Sequence, residues 1–374
     1  MTKIVLYYGP KRTFVRHLPK KTPMTTLSEL AIFSDKKMRE HVFKIQSKHS
    51  DLPKSDDFEK PHISCLVAYS DQYAAVSDSA IQAFLSFTGQ FQIDSIFLQN
   101  PPMQLVNQLG SIYRKIKVIN YRYNIVDEAA LKEINENYSK NIFGQEKALH
   151  QILLSLYPLT RSDHEEPIVM LLYGPTGVGK SETAKYLSKV LRQKLFRKQL
   201  SMFHSGEFAS YMFGGRHTQA SFSKDLMERE SNIILLDEFD KPNPLFHSAF
   251  YQLFDEGIYE DKNYHVDARR SVIICTSNYS SQEEAREKLG APLFSRFDAV
   301  IGFDFLSENT IKKIARAEYR RLAANLTEKE RERVISTDFE QNILDGLSKL
   351  ENSREIKRYV RDMLSDRLLD TLLK

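Results

Sequence analysis

The sequence is poor in residues that staple or anchor a chain. Only two cysteines, Cys65 and Cys275, occur in 374 residues, and each sits inside an apolar, strand-like run. Thiols so placed are small buried hydrophobes, so neither a disulfide nor a zinc site is expected. Apolar runs stop at about six residues, far short of the roughly 20 that a membrane-spanning helix needs. Ile4 to Tyr8, behind Lys3, is also too short to serve as a signal peptide. These absences lead to the expectation of a cytoplasmic protein without membrane contact.

What is present is an ordinary globular composition, 41% hydrophobic over 374 residues, enough for a large core and for two or three domains. The formal net charge of +4 conceals an asymmetry. Residues 1–125 hold 17 Lys and Arg against 10 Asp and Glu, while the remainder holds 36 against 39. A basic front third is compatible with nucleic acid or an acidic partner, and equally with a solvated face at Lys11, Arg12, Arg16, Lys20, Lys21, Lys36, Lys37 and Arg39.

Along the front third, strands at Lys3 to Tyr8, Ile63 to Tyr69, Ile93 to Leu98 and Ile116 to Tyr121 alternate with helices at Asp35 to Ser47, Ser77 to Phe87 and Met103 to Tyr113. Alternation of this kind argues a small α/β domain with a mainly parallel sheet, over residues 1–125. Residues 50 to 61 read as a polar connector, and Asn124 to Glu128 as a linker. No chemical motif marks this domain. Asp71 and Asp94 lie near strand ends, but nothing pairs them with a nucleophile or base.

Chemistry begins at Gly174-Pro175-Thr176-Gly177-Val178-Gly179-Lys180-Ser181. The apolar run Ile168 to Tyr173 before it reads as a buried strand, and Ser181-Glu182 onward as an amphipathic helix. Between them the glycines let backbone N–H groups turn around a β-phosphate, Lys180 reaches the β and γ phosphates, and Ser181 offers a hydroxyl to Mg²⁺. Downstream, Asn232 to Leu236 is a second buried strand ending in Asp237 and Glu238. Asp237 at its terminus suits Mg²⁺, and Glu238 suits polarisation of an attacking water. A third buried strand, Ser271 to Thr276, leads to Asn278, whose amide can bond both a γ-phosphate and that water. Upstream, Asn141-Ile142-Phe143-Gly144 lies where backbone and apolar side chains would build an adenine pocket. Phe208 to Arg216, with Tyr211, Met212 and Phe213 before Gly214, reads as a loop whose aromatics either tuck onto the core or touch something else. Helical patterns at Glu308 to Leu326, Asp338 to Leu350 and Arg354 to Leu373 read as a separate bundle.

With these residues assembled, the chain from about Glu133 onward resembles the Clp family of AAA+ ATPases, most closely the second ATPase module of ClpA and ClpB. The resemblance rests on ordered motifs: Phe143-Gly144-Gln145, the Walker A loop, the Walker B strand, Asp255-Glu256-Gly257, Thr276-Ser277-Asn278, Phe294-Ser295-Arg296-Phe297-Asp298 and Asn352-Ser353-Arg354. It implies an AAA+ P-loop NTPase core at 126–306 and a C-terminal helical lid at 307–374, preceded by an unrelated α/β domain for partner or substrate recognition. It implies ATP and Mg²⁺, with Ile142, Phe143, Gly144 and the stretch Pro175 to Glu182 binding the nucleotide, Lys180 and Ser181 as phosphate and metal ligands, Asp237 organising the metal and Glu238 as catalytic base. It makes Asn278 sensor 1, Arg354 sensor 2, and Arg296 an arginine finger supplied to a neighbour in a hexameric ring. Tyr211, Phe213 and Gly214 fall where such unfoldases carry a pore loop that grips a threaded polypeptide.

Departures accompany the likeness. Gly214 replaces the usual apolar residue of the pore motif, and sensor 2 reads Asn-Ser-Arg where the family has Gly-Ala-Arg. The chain stops about where family members continue into lid strands, so a shorter lid is expected. Ile301-Gly302-Phe303 spells a peptidase-docking tripeptide but lies after Arg296 within a strand pattern, so docking to a Clp peptidase is not expected. The leading expectation is an ATP-driven protein-remodelling enzyme. The alternatives are a nucleic-acid-associated AAA+ ATPase, such as a loader, defence or mobile-element motor, and a nucleotide-gated scaffold.

Overall fold

A computed structural model describes residues 2–34, 36, 60–202, 205–334, 337–348 and 350–373. The helix expected at 35–47 lies outside the described residues except for residue 36, as does most of the connector at 50–61. The first strands are β1 (Lys3–Tyr8), β2 (Thr25–Thr26), β3 (His62–Ile63), β4 (Leu66–Ala68), β5 (Gln92–Ile93), β6 (Ser95–Gln99) and β7 (Ile116–Asn120). They are followed by β8 (Ile168–Tyr173), β9 (Phe196–Gln199), β10 (Ile233–Asp237), β11 (Ile258–Glu260), β12 (His265–Asp267), β13 (Val272–Thr276) and β14 (Ala299–Gly302). The chain folds as two compact units, the first comprising residues 1–123, 204–230 and 258–268, the second 124–203, 231–257 and 269–374.

The first unit is built on a five-stranded parallel sheet in the order β2-β4-β6-β1-β7. Alternation along β1 sends Ile4 and Leu6 to a face shared with Leu66, Ile96, Leu98, Leu105 and Leu109. Val5 and Tyr7 go to the opposite face, with Phe14, Val67 and Phe97. With apolar side chains on both faces, β1 reads as a near-continuous apolar run, as a central parallel strand does. The expected strand Ile63 to Tyr69 is divided: Ile63 pairs with Ile93 in a separate β3–β5 pair, and only Leu66 to Ala68 joins the main sheet. Among the basic residues read as a solvated face, Lys11 pairs with Asp71 at 2.8 Å, and Arg12 lies 3.9 Å from Glu230.

Two segments from the middle of the chain complete this unit. Ser205–Phe213 is a helix, where the sequence suggested a loop, because Phe208, Tyr211 and Met212 supply a buried stripe at helical spacing. A second short helix, Phe222–Met227, is capped by Ser221, whose hydroxyl accepts the Lys224 N–H at 3.4 Å. β11 and β12 form an antiparallel hairpin, with Tyr259 opposite Val266.

The second unit holds a parallel sheet in the order β14-β8-β13-β10-β9. Every residue of β10 and β13 is buried, so both strands are apolar up to the last position, where Asp237 and Thr276 bring polar groups to one edge. Helix Glu128–Asn141 starts at Asp127, whose carboxylate accepts the Ala130 N–H at 2.7 Å. The C-terminal helices are Glu308–Ala324, Glu328–Val334, Thr337–Asp345 and Ser353–Leu373. Their core joins Ile314, Tyr319, Phe339, Ile343, Ile356 and Val360. Helix Glu328–Val334 escapes apolar periodicity because it is almost entirely charged, yet its start was written in Thr327 and Glu330. The Glu330 carboxylate accepts both the N–H and the hydroxyl of Thr327, at 2.8 and 2.7 Å. Among the described residues, no helix is long and apolar enough to cross a membrane.

Cys65 and Cys275 are both fully buried, and burial pushes both thiols upward in pKa. A thiol reagent should therefore label neither cysteine in the native chain and both after unfolding. Rapid native labelling of either would contradict the packing described for β4 or β13.

Candidate functional site

The loop after β8 depends on backbone that side chains disfavour. Gly174, Gly177 and Gly179 have φ of 129°, 76° and 117°, in the region open mainly to glycine. A Cβ on Gly174 would lie 2.3 Å from the Phe303 carbonyl oxygen. The loop then opens helix Lys180–Val190, whose first N–H groups are free to meet an anion. Lys180 is only 7% exposed. Its Nζ donates to the carbonyls of Gly174 and Pro175, both at 2.6 Å, and to Asn278 Oδ1 at 3.4 Å. Burial lowers its pKa to about 8, opposed by Asp240 and Asp237 and reinforced by the Arg354 charge. An ammonium removed from water in this way has much to gain from a phosphate.

Asp237 gathers the loop, the sheet and the helix. Its Oδ1 accepts from Ser181 Oγ at 3.0 Å and from Thr276 Oγ1, and its Oδ2 from Arg197 Nε and Nη2 at 3.0 and 2.5 Å. Ser181 and Asp237 thus place two hard oxygen donors together, the set Mg²⁺ takes when phosphates and water fill its remaining positions. The residues fit that ion. One position on, Glu238 has a φ of 57°, so the backbone turns sharply as the strand ends. Its N–H is held by Thr276 Oγ1 at 3.1 Å, and its carboxylate accepts from Gln199 Nε2 at 3.2 Å. Arg197 and Gln199 lie on β9 beside β10. Neither was singled out in the sequence, where Phe-Arg-Lys-Gln is an unremarkable strand. Asp240 was missed as well; its side chain is 8% exposed, and Oδ1 is buried without a hydrogen-bond partner.

A cavity of about 200 Å³ opens beside the loop. Ile142, Phe143, Val178, Gly179 and Glu182 line one side, and Leu306, Ile314, Ala317, Glu318, Arg321, Ser353 and Lys357 the other. The first five were read from the sequence; those from the C-terminal helices could not be, because no spacing ties them to the loop. Gly144 packs instead against Thr310, whose Oγ1 would lie 2.7 Å from an added Cβ. Gln145 is buried and exchanges two hydrogen bonds with the Asp304 backbone, at 3.0 and 3.1 Å. Glu318 is held below the ordinary carboxylate range by its hydrogen bonds from Arg321, at 2.9 and 2.6 Å.

The C-terminal helix touches the loop directly. Ser353 N–H donates to Gly177 O at 3.0 Å, and Asn352 Oδ1 caps the helix by accepting the Glu355 N–H at 3.0 Å. The Asn-Ser-Arg departure therefore has a local physical role, since Asn at this position satisfies a helix N–H that Gly would leave open. Arg296 is engaged elsewhere in the unit, with Nε on Asp255 Oδ2 at 2.9 Å and its guanidinium 4.1 Å from the centre of the Tyr251 ring. In the first unit, Tyr211 is buried, and its hydroxyl donates to Asp225 at 2.6 Å, while Phe213 is 46% exposed.

Residues 165–347 match the model of the AAA domain (Cdc48 subfamily). Chaperone protein ClpB of Wolinella succinogenes is 25% identical over 271 residues, covering 64% of this chain and 32% of that protein. The ClpA homolog protein of Fuscovulum blasticum is 28% identical over 253 residues, covering 59% and 32%. The mitochondrial disaggregase of Homo sapiens is 28% identical over 219 residues, covering 50% and 31%. The chain thus spans about a third of the length of these relatives. Among solved structures, the S. cerevisiae Hsp104–ADP complex superposes with a TM-score of 0.53 at 17% identity, over 66% of this chain and 40% of that one. A closed-state reconstruction of Hsp104 with ATPγS and FITC-casein gives 0.54 at 13%, over 99% and 88%. At these identities the solved structures establish the fold, an AAA+ core with a helical part.

A Cβ on Gly177 would lie 2.7 Å from Asn352 Cβ. Gly177→Ala should therefore strain the loop and push the C-terminal helix away from it. Nucleotide affinity should fall about tenfold or more, as strain of this order implies. Titration of a fluorescent ATP analogue reads this directly, and unchanged affinity would show that the contact is dispensable.

Proposed function

We propose that this chain is a Clp-type AAA+ ATPase that hydrolyses Mg²⁺-ATP within a hexameric cytoplasmic ring and uses the energy to remodel a protein, a reading supported by the match of residues 165–347 to the AAA domain (Cdc48 subfamily) and by the ClpB and ClpA relatives. The observation that carries the reading is the convergence on one glycine loop of Lys180, Ser181, Asp237, Asn278 and the start of the C-terminal helix. That set binds a triphosphate, and the helix registers whether it is there. Magnesium, when bound with the nucleotide, neutralises charge on the β and γ phosphates.

The chain's own groups divide the remaining work. Lys180 exchanges its two carbonyl partners for phosphate oxygens, a charge-assisted contact stronger than the bonds it gives up. Ser181 and Asp237 hold the metal, while Arg197 and Thr276 keep the Asp237 carboxylate in one orientation. Glu238 takes the proton of the attacking water once Gln199 releases it, and Asn278 orients that water. Arg354, whose charge already reaches Lys180, reports the phosphate to the lid. Arg296, steadied by Asp255 and Tyr251, serves the nucleotide of a neighbouring subunit.

For the mechanical part, Phe213 is the aromatic best suited to touch a substrate, since Tyr211 is committed to the core. Burial of Ile301 and Phe303 in and beside β14 argues against a peptidase-docking role for that tripeptide. Recognition is assigned to residues 1–125, ATPase function to 126–306 and lid function to 307–374, with the segments 204–230 and 258–268 folding into the compact unit of residues 1–123.

Glu238→Gln should lower turnover by about a hundredfold or more while ATP binding persists, because only the general base is lost. Arg296→Ala should be inactive too, and mixing the two inactive variants should restore part of the activity, since mixed rings contain some complete sites. Absence of any recovery, with mixed assemblies verified, would argue against a subunit-shared site. Phe213→Ala should abolish stimulation of ATP turnover by an unfolded protein substrate; stimulation that survives the change would exclude threading through this loop.

A further inference from the structure

The carboxyl ends of β1 and β6 carry an arrangement that none of the ATPase chemistry uses. Open α/β sheets bind ligands in the crevice outside the carboxyl ends of their strands. Here that place is filled by the side chain of Glu228, from the segment between the exposed aromatic Phe213 and the Walker B strand. Its Oε1 accepts from Gln99 Nε2 at 2.5 Å and from Asn100 Nδ2 at 2.9 Å, and its Oε2 accepts the Lys11 N–H at 2.9 Å. Gln99 and Asn100 are fully buried. Both amides also donate to Gly9 O, and Asn100 Oδ1 accepts the Gly9 N–H at 2.8 Å, so the donors are held in place before any carboxylate arrives. Asn100 adopts φ of 46° to do this, a backbone conformation that asparagine tolerates better than most residues.

The neighbours of Glu228 are gripped as well. Arg229 is buried, with its guanidinium 4.2 Å from the Tyr123 ring centre and donating to Leu226 O and Asp267 O at 2.9 and 2.8 Å. A second attachment lies at the hairpin turn. Met103 N–H donates to Asn263 O at 2.8 Å, and Asn263 Nδ2 in turn donates to Gly215 O at 2.9 Å. Lys262 N–H donates to Phe213 O at 3.2 Å, and the Tyr259 hydroxyl to Met212 O. The residues around Phe213 are thus tied to the N-terminal sheet through both Glu228 and Asn263.

We propose that the carboxyl end of the N-terminal sheet is a carboxylate receptor whose resident ligand is Glu228, clamping the segment that carries Phe213, and that an acidic peptide side chain is the ligand class able to displace it. The N-terminal domain then does more than recognise partners: filling its crevice with a partner's glutamate frees the loop. The clamp is independent of ATP turnover, because it consists of hydrogen bonds within one unit.

The test is hydrogen exchange on the full chain, comparing wild type with Glu228→Ala and the milder Glu228→Gln. Amides of residues 205–216 and 258–268 should exchange about tenfold faster or more in the variants, as local opening without this carboxylate allows. Amides of β1, β6 and helix Lys180–Val190 should keep their protection. A synthetic peptide of residues 221–231 should produce the same acceleration in wild type, saturably, and its Glu228→Gln counterpart should not. Unchanged exchange at 205–216 would overturn the clamp. So would loss of protection throughout β1 and β6 in both variants, which would make Glu228 a part of the domain's core and not a separable latch. A peptide without effect would overturn the displacement.

Discussion

One carboxylate holds the candidate site of the second unit in register. Asp237 ends a strand buried along its whole length, and its two oxygens take bonds from three elements: Ser181 on the helix after the phosphate loop, Thr276 on β13 and Arg197 on β9. A buried carboxylate without such partners would give up its hydrogen bonds to water with nothing in return. With them it fixes the end of the loop helix against the sheet. The turn at Glu238 follows from the same point, since Thr276 bonds both Asp237 and the Glu238 N–H. The proposed metal ligand and the proposed base are therefore oriented by one threonine.

The loop and the C-terminal helices are coupled by an equally small contact. Gly177 must be glycine twice over, for its positive φ and for the Asn352 side chain packed against it. Ser353 N–H then reads the Gly177 carbonyl. The helix Ser353–Leu373 that makes this contact is itself anchored in the apolar core of the C-terminal helices at Ile356 and Val360. The cavity beside the loop is shared in the same way, since Phe143 and Val178 meet Ile314 and Ala317 across it.

The second unit's site was largely legible, and the first unit's assembly was not. Strands β8, β10 and β13 announce themselves as continuous apolar runs, and the glycine spacing at 174–179 leaves few alternatives. By contrast, Arg197, Gln199 and Asp240 carry no local pattern; they matter because β9 lies beside β10 and because the chain turns at Glu238. The aromatics at 208–213 were ambiguous between loop and helix because a short apolar cluster fits either, and burial of Phe208, Tyr211 and Met212 decided it. The attachment of residues 204–230 and 258–268 to the N-terminal sheet had no trace in the sequence at all.

What the sequence determined by itself was therefore whatever depends on neighbours in the chain: strand–loop–helix order, the phosphate loop, the acidic strand end and the α/β alternation of the front domain. These follow from local sterics, periodicity and the special backbone of glycine. What only the tertiary structure decided depends on groups more than a hundred residues apart meeting in space. Glu228 finding Gln99 and Asn100, Asn352 finding Gly177, and Arg321 closing the cavity beside Ile142 are all of this kind. Such contacts are set by the packing of apolar faces that any of many side chains could provide, so the residues that profit from them leave no spacing to read.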